Sequence, residues 1–185
     1  MLTLLLGGAR SGKSDLAVRL AQARPSASPV TFLATAEPRD EEMAARAAAH
    51  REGRPGTWST LEEPLHLLQA FHALGPDATV VVDCLTLWVS NMVGAGWDDA
   101  TIVRSATETG SLAGERPGLA VAVSNEVGSG IVPADPLSRR YRDLLGRVNT
   151  IFAGHAADAF LVVAGRLLAL QRPPVTPPSR DPARP

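Results

Sequence analysis

Five short apolar runs punctuate the chain: Leu2–Leu6, Val30–Ala34, Thr79–Asp83, Leu119–Ser124 and Phe160–Ala164. They are rich in valine and leucine without regular polar alternation, the pattern of strands buried on both faces of a parallel sheet. Between them the period changes to that of helices. Residues 13–23 follow the first run as one helix. Residues 40–51 read as an alanine-rich helix, with Asp40 as N-cap, Glu41 and Glu42 in the first turn, Gly53 just past the end and Pro55 beyond. An apolar helical stretch begins near Pro64, and another segment starts at Leu85, for which Asp83 is a candidate N-cap. Residues 137–155 are clearest: Asp135 caps, Pro136 fits the first turn, and Leu137, Tyr141, Leu144, Leu145, Val148 and Phe152 share one face. Strand and helix alternate throughout, which predicts an α/β fold with a mainly parallel sheet flanked by helices and ligands at the carboxyl ends of the strands. One domain is expected over residues 1–171. Residues 172–185 are too rich in proline for a helix or a central strand, and a disordered tail is expected there.

Composition narrows the function classes. Apolar residues make up 45% of the chain and the net charge is −1, which fits a soluble globular protein and leaves no basic field for nucleic acid. The first residues, Met1-Leu2-Thr3-Leu4-Leu5-Leu6, have no basic n-region and no cleavage site, and no apolar run reaches membrane-spanning length. A cytoplasmic protein is expected. Cys84 is the only cysteine, so an intrachain disulfide and a cysteine zinc site are excluded, and it reads as a small core residue rather than a reactive thiol. Seventeen arginines accompany a single lysine, Lys13. That position is one where a compact ammonium and a planar guanidinium are not equivalent.

Lys13 sits inside Gly7, Gly8, Ala9, Arg10, Ser11, Gly12, Lys13 and Ser14, which match G-x-x-x-x-G-K-[ST] between an apolar run and a helix. In such a loop backbone amides curl around phosphate oxygens and the helix dipole points at them. The lysine reaches the β and γ phosphates, and the hydroxyl gives an oxygen to Mg²⁺. The chain therefore reads as a P-loop NTPase-type domain. A second acidic residue at the end of a neighbouring strand normally completes the Mg²⁺ side, and Asp83 supplies it. A regulatory GTPase would add Asn-Lys-x-Asp; Asn125-Glu126-Val127-Gly128 lacks both the lysine and the aspartate, so guanine specificity would have to come from elsewhere.

Of the four histidines, His66 and His72 lie in the stretch after Pro64 and His155 ends the long amphipathic helix, which are packing or surface settings. His50 differs, with Arg46 one turn before it and Arg51 and Arg54 just beyond. Neighbouring guanidinium groups keep an imidazole neutral and can hold a triphosphate for attack, whereas the helix C-terminus favours imidazolium. On these grounds His50 stands open between a nucleophile and an ordinary helix-end histidine.

Blocks at Gly7–Ser14 (GGARSGKS), Asp40–Pro55 (DEEMAARAAAHREGRP), Val82–Asn91 (VDCLTLWVSN), Ser124–Pro133 (SNEVGSGIVP) and Tyr141–Asn149 (YRDLLGRVN) occur in one order. With them the chain resembles the bifunctional adenosylcobinamide kinase/adenosylcobinamide-phosphate guanylyltransferase family along nearly its whole length up to the tail. Arg39 and Ser129 stand where such proteins vary, and Gly94–Gly118 is a short, glycine-rich loop region beside some relatives. The resemblance implies that His50 is the residue that becomes covalently guanylylated. It places nucleotide contacts at Gly7–Ser14, at Ala34, Thr35 and Ala36, at Arg51, Glu52, Gly53 and Arg54, and at Glu62 and Asp83, with Ser14 and Asp83 on the Mg²⁺ side and Lys13 catalytic. It further implies ATP or GTP as phosphoryl donor, GTP as GMP donor, adenosylcobinamide as acceptor, and a homotrimer. Two alternatives stay open here: a single-activity P-loop kinase for another small molecule, and a nucleotide-binding module without turnover.

Overall fold

The computed structural model describes residues 1–23, 29–37 and 55–173. Among them, seven strands form one sheet: β1 (Leu2–Gly7), β2 (Val30–Ala34), β3 (Ser59–Glu62), β4 (Thr79–Asp83), β5 (Ala120–Asn125), β6 (Asp158–Val163) and β7 (Arg166–Ala169). Their order is β3-β2-β4-β5-β1-β6-β7, and every pairing is parallel except the β6–β7 hairpin. Five helices accompany them: α1 (Lys13–Gln22), α2 (Leu67–Ala73), α3 (Leu85–Gly94), α4 (Asp99–Glu115) and α5 (Pro136–His155). The mainly parallel α/β architecture is the one expected from the apolar runs. The alanine-rich segment 40–51 and the tail from residue 174 lie outside the described residues.

The alternation of side chains along the strands divides the core in two. Leu2, Leu4, Val80, Val82, Ala120 and Ala122 face one way and bury against α2, α3, α4 and α5, where Trp88 meets Phe152 edge to face at 6.3 Å. Leu5, Val81, Val121 and Val123 face the other way and pack on Ala17 and Ala21 of α1. Both faces of the central strands are thus dry, which is why their sequences are apolar runs rather than alternating ones.

Three elements depart from the expectations. Gly94–Gly118 holds the seventeen-residue helix α4, capped by Asp98, whose carboxylate accepts from Thr101 N–H at 2.8 Å. Its glycines serve packing: a Cβ at Gly114 would lie 2.7 Å from the His155 carbonyl oxygen, so α4 can approach α5 this closely only without a side chain there. Asp83 does not cap α3; Cys84 is the N-cap residue and makes no side-chain capping bond. Arg172, expected to start the tail, is tied to the end of α5 by bonds from its guanidinium to the carbonyls of Gly154 (3.1 Å) and Ala156 (2.7 Å).

Candidate functional site

The loop between β1 and α1 calls for glycine twice, once for a close approach and once for a left-handed backbone. At Gly7 (φ 155°) a Cβ would stand 2.3 Å from the Val162 carbonyl oxygen of β6. Gly12, in the left-handed region (φ 96°), is the N-cap of α1 and brings no capping side chain, so the first amides of the helix stay open toward the loop. The other flank is the β6–β7 turn, where Ala164 and Gly165 both have positive φ and Gly165 N–H donates to the Ser11 carbonyl at 2.8 Å.

Lys13 is only 7% exposed. Its ammonium donates to the carbonyls of Gly7 (3.0 Å) and Gly8 (2.5 Å) and to Ser11 Oγ (3.3 Å), so it sits over the bowl of the loop. Burial pulls its pKa below the usual lysine value, opposed by the nearby Cys84 and Asp83. Ser14, in the first turn of α1, donates its hydroxyl to Asp83 Oδ1 at 3.4 Å. Two residues 69 positions apart in sequence thus converge as a pair of hard oxygen donors beside the lysine, the donor set that Mg²⁺ takes together with phosphate oxygens.

Asp83 ends β4, and the turn after it is held from β2. Thr35 is fully buried; its N–H donates to the Asp83 carbonyl (3.1 Å), while its hydroxyl donates to the Cys84 carbonyl and accepts from Cys84 N–H, both at 2.8 Å. Asn91 of α3 donates to the Thr35 carbonyl at 2.8 Å. Thr35 therefore fixes the turn that carries Asp83. The Cys84 thiol is pushed up to about 11 by burial and then by the Asp83 charge, so it stays protonated at neutral pH.

Ala34, Thr35, Ala36, Glu62, Asp83 and the residues 7–14 all lie at the carboxyl edge of the sheet, yet they do not form one cluster. Glu62 ends the outer strand β3, four strand spacings from β1, or roughly 19 Å. The phosphate loop, Ser14 and Asp83 form one group; Ala34 is paired with Asp83 on one side and with Glu62 on the other, so β2 links that group to the outer strand. His50, Arg51, Glu52, Gly53 and Arg54 lie outside the described residues.

The end of β5, whose sequence only fails to match a base-recognition motif, completes the first group. β5 is hydrogen-bonded between β1 and β4, and Glu126 N–H donates to the Gly7 carbonyl at 3.1 Å. A buried polar network holds it: Ser124 Oγ donates to Asn149 Oδ1 (2.6 Å), Asn149 Nδ2 donates to the Asn125 carbonyl (3.1 Å) and Asn125 N–H donates to Thr86 Oγ1 (2.7 Å). Tyr141 donates its hydroxyl to the Thr86 carbonyl at 3.1 Å, and burial pushes its pKa up to about 12. The available signal was Ser124-Asn125-Glu126 at the end of an apolar run in a sheet of this class.

A family model described as cobinamide kinase / cobinamide phosphate guanyltransferase matches residues 3–170. The chain belongs to this family. It is 42% identical over 177 residues to a protein of Pseudomonas aeruginosa named bifunctional adenosylcobalamin biosynthesis protein CobP, covering 95% of this chain and all of that one. It is 40% identical over 178 residues to the Salmonella typhimurium protein named bifunctional adenosylcobalamin biosynthesis protein CobU, covering 89% of this chain and 97% of that one. Among solved structures, a Pyrococcus horikoshii protein superposes with a TM-score of 0.54 at 8% identity, over 91% of this chain and 84% of that one, a likeness of fold alone. The family match spans the cobinamide kinase/guanyltransferase chain from β1 through β7.

Proposed function

We propose that this member of the cobinamide kinase/guanyltransferase family carries out its two reactions at the carboxyl edge of the sheet, with the phosphate loop, Ser14 and Asp83 serving the first and His50 the second. The observation that carries the reading is the convergence of the Ser14 hydroxyl on the Asp83 carboxylate beside the buried Lys13 ammonium. In the kinase step the terminal phosphoryl group of ATP or GTP passes to the hydroxyl of the aminopropanol arm of adenosylcobinamide. Loop amides of Gly8, Ala9, Arg10, Ser11 and Gly12 hold the phosphates, and Lys13 exchanges loop carbonyls for β and γ oxygens, countering the charge that builds during transfer. Ser14 and Asp83 would hold Mg²⁺, which when bound supplies charge neutralisation across the same oxygens.

In the second step the neutral ring nitrogen of His50 attacks the α phosphorus of GTP and pyrophosphate leaves. The phosphoramidate then passes GMP to adenosylcobinamide phosphate, giving adenosyl-GDP-cobinamide. Arg51, Glu52, Gly53 and Arg54 beside His50, with Ala34, Thr35, Ala36 and Glu62, are the contacts proposed for this nucleotide. Glu62 lies four strand spacings from β1 but two from β4, with Ala34 paired to both Glu62 and Asp83, so these contacts extend from the Asp83 side of the site outward.

The assembly is proposed to be a homotrimer. Val163, Leu167, Leu168 and Leu170 on and beside the β6–β7 hairpin are 40–60% exposed, an apolar edge suited to burial by another copy. Among the described residues no helix is long and apolar enough to cross a membrane, and a cytoplasmic setting is proposed. The test is product analysis: with ATP, GTP, Mg²⁺ and adenosylcobinamide, mass spectrometry should find first adenosylcobinamide phosphate and then adenosyl-GDP-cobinamide. Consumption of nucleotide with neither product would refute the reading.

A further inference from the structure

Phosphoryl transfer to a hydroxyl needs a group to take its proton. In many sites that group is a carboxylate beside the metal-side aspartate, but the residue after Asp83 is Cys84, which carries no carboxylate. Among the described carboxylates at this edge of the sheet, Glu37 follows β2, three strand spacings from β1, and Glu63 accepts from Leu65 N–H (3.0 Å) and His66 N–H (2.7 Å) in the turn before α2. Glu62 lies on the exposed outer strand. Asp83 is engaged with Ser14.

Glu126 is placed differently. Its N–H and the Lys13 ammonium donate to the same oxygen, the Gly7 carbonyl, at 3.1 and 3.0 Å. The main chain of Glu126 is therefore an immediate neighbour of the cation that meets the transferred phosphoryl group. Its strand lies between the one that carries Asp83 and the one that opens the phosphate loop. Its side chain is half-buried, and one carboxylate oxygen, Oε1, accepts from Gly128 N–H at 2.5 Å, which orients the group within its own loop. From the same loop Ile131 (96% exposed) and Val132 (61%) project into solvent, an apolar surface beside the point where a bulky acceptor must arrive.

We propose that Glu126 is the general base of the kinase step; this rests on the kinase activity assigned above. The hydroxyl oxygen of the aminopropanol arm bonds to the γ phosphorus as its O–H bond breaks, and the proton passes to Glu126. The electron pair of the β,γ-bridging P–O bond leaves with the nucleoside diphosphate. GMP transfer to His50 displaces pyrophosphate with a neutral imidazole and does not call on Glu126.

Glu126→Gln is the test, because the amide oxygen can still accept from Gly128 N–H while the group loses its capacity to take a proton. Single-turnover phosphorylation of adenosylcobinamide should fall by about 100-fold or more, the scale of a lost general base. The KM for adenosylcobinamide, the melting temperature and the GMP gained on incubation with GTP and Mg²⁺ should stay at wild-type values, and Glu126→Asp should recover part of the rate. A kinase rate within about threefold of wild type overturns the assignment. So does a parallel loss of GMP loading, or a raised Mg²⁺ requirement, either of which would make Glu126 a metal-side or structural residue. If wild-type protein gains GMP yet never phosphorylates adenosylcobinamide, the kinase reading itself fails and takes this assignment with it.

Discussion

β1, β4 and β5 bury almost every residue, whereas every residue of β3 and of β7 is exposed. The central strands are dry on both faces and locked between two strands each, so they cannot slide without exposing core. The loop after β1, the carboxylate at the end of β4 and the Glu126 turn after β5 therefore arrive at set positions, held further by Thr35 and Asn149. The marginal strands have no such constraint. They offer surface, and the residues proposed there, Glu62 and the apolar β7 edge, serve recognition and assembly rather than the reacting phosphates.

If this contrast is right, substitutions at the centre should be costly and those at the margin mild. The largest effect is expected at Lys13→Arg. The fork-shaped guanidinium does not fit the bowl occupied by the ammonium, and phosphorylation of adenosylcobinamide should fall by roughly 100- to 1,000-fold with the melting temperature little changed. Near-normal turnover in a steady-state assay would show that charge alone suffices.

Gly7→Ala probes the same centre through stability. Its Cβ would stand 2.3 Å from the Val162 carbonyl, so β1 and β6 must part. A loss of about 3 kcal/mol is expected, seen as a melting temperature lower by roughly 6–12 °C. An unshifted melting curve would mean that the centre is softer than described.

Next in size is an alkaline effect from Cys84. Its folded thiol titrates at about 11, above the unfolded value, so between those values the unfolded chain holds fewer protons than the folded one. Stability from this group is complete below about pH 8.5 and is lost as pH rises toward 11, by on the order of 2 kcal/mol. Urea midpoints at pH 8 and pH 10.5 should therefore drop more for wild type than for Cys84→Ala. Equal drops would place the thiol in a wetter setting.

At the margin, Ser59→Ala removes an exposed hydroxyl that meets Thr31 Oγ1 at 3.0 Å, and should change stability by no more than about 0.5 kcal/mol. A larger loss in denaturant titration would erase the distinction between centre and edge.

The same contrast governs how much could be read from the chain. Val30–Ala34 and Thr79–Asp83 were legible to the residue because a doubly buried strand must be an unbroken apolar run. β3, with the sequence STLE, and β7, with RLLA, carry no such run, and both were missed. α4 was hidden because its glycines signal a loop locally, while the contact with His155 that makes Gly114 necessary is visible only in three dimensions. In the site, the motif spacing marked the phosphate loop and the end of an apolar run marked Asp83, the two features that the Ser14–Asp83 contact brings together. Thr35 entered only through the family resemblance, and the pairing of Glu126 with the distant Gly7 left no mark along the chain.

Intact mass shows whether one chain joins loop-based phosphoryl transfer to a covalent GMP carrier at His50. Wild-type protein incubated with GTP and Mg²⁺ should gain the mass of one GMP in an acid-labile, base-stable linkage, and His50→Ala should gain nothing while still phosphorylating adenosylcobinamide from ATP. A GMP adduct that persists in His50→Ala would contradict the account by placing the nucleophile elsewhere. Loss of both activities with the fold intact would contradict it by showing that the histidine segment serves the two reactions together.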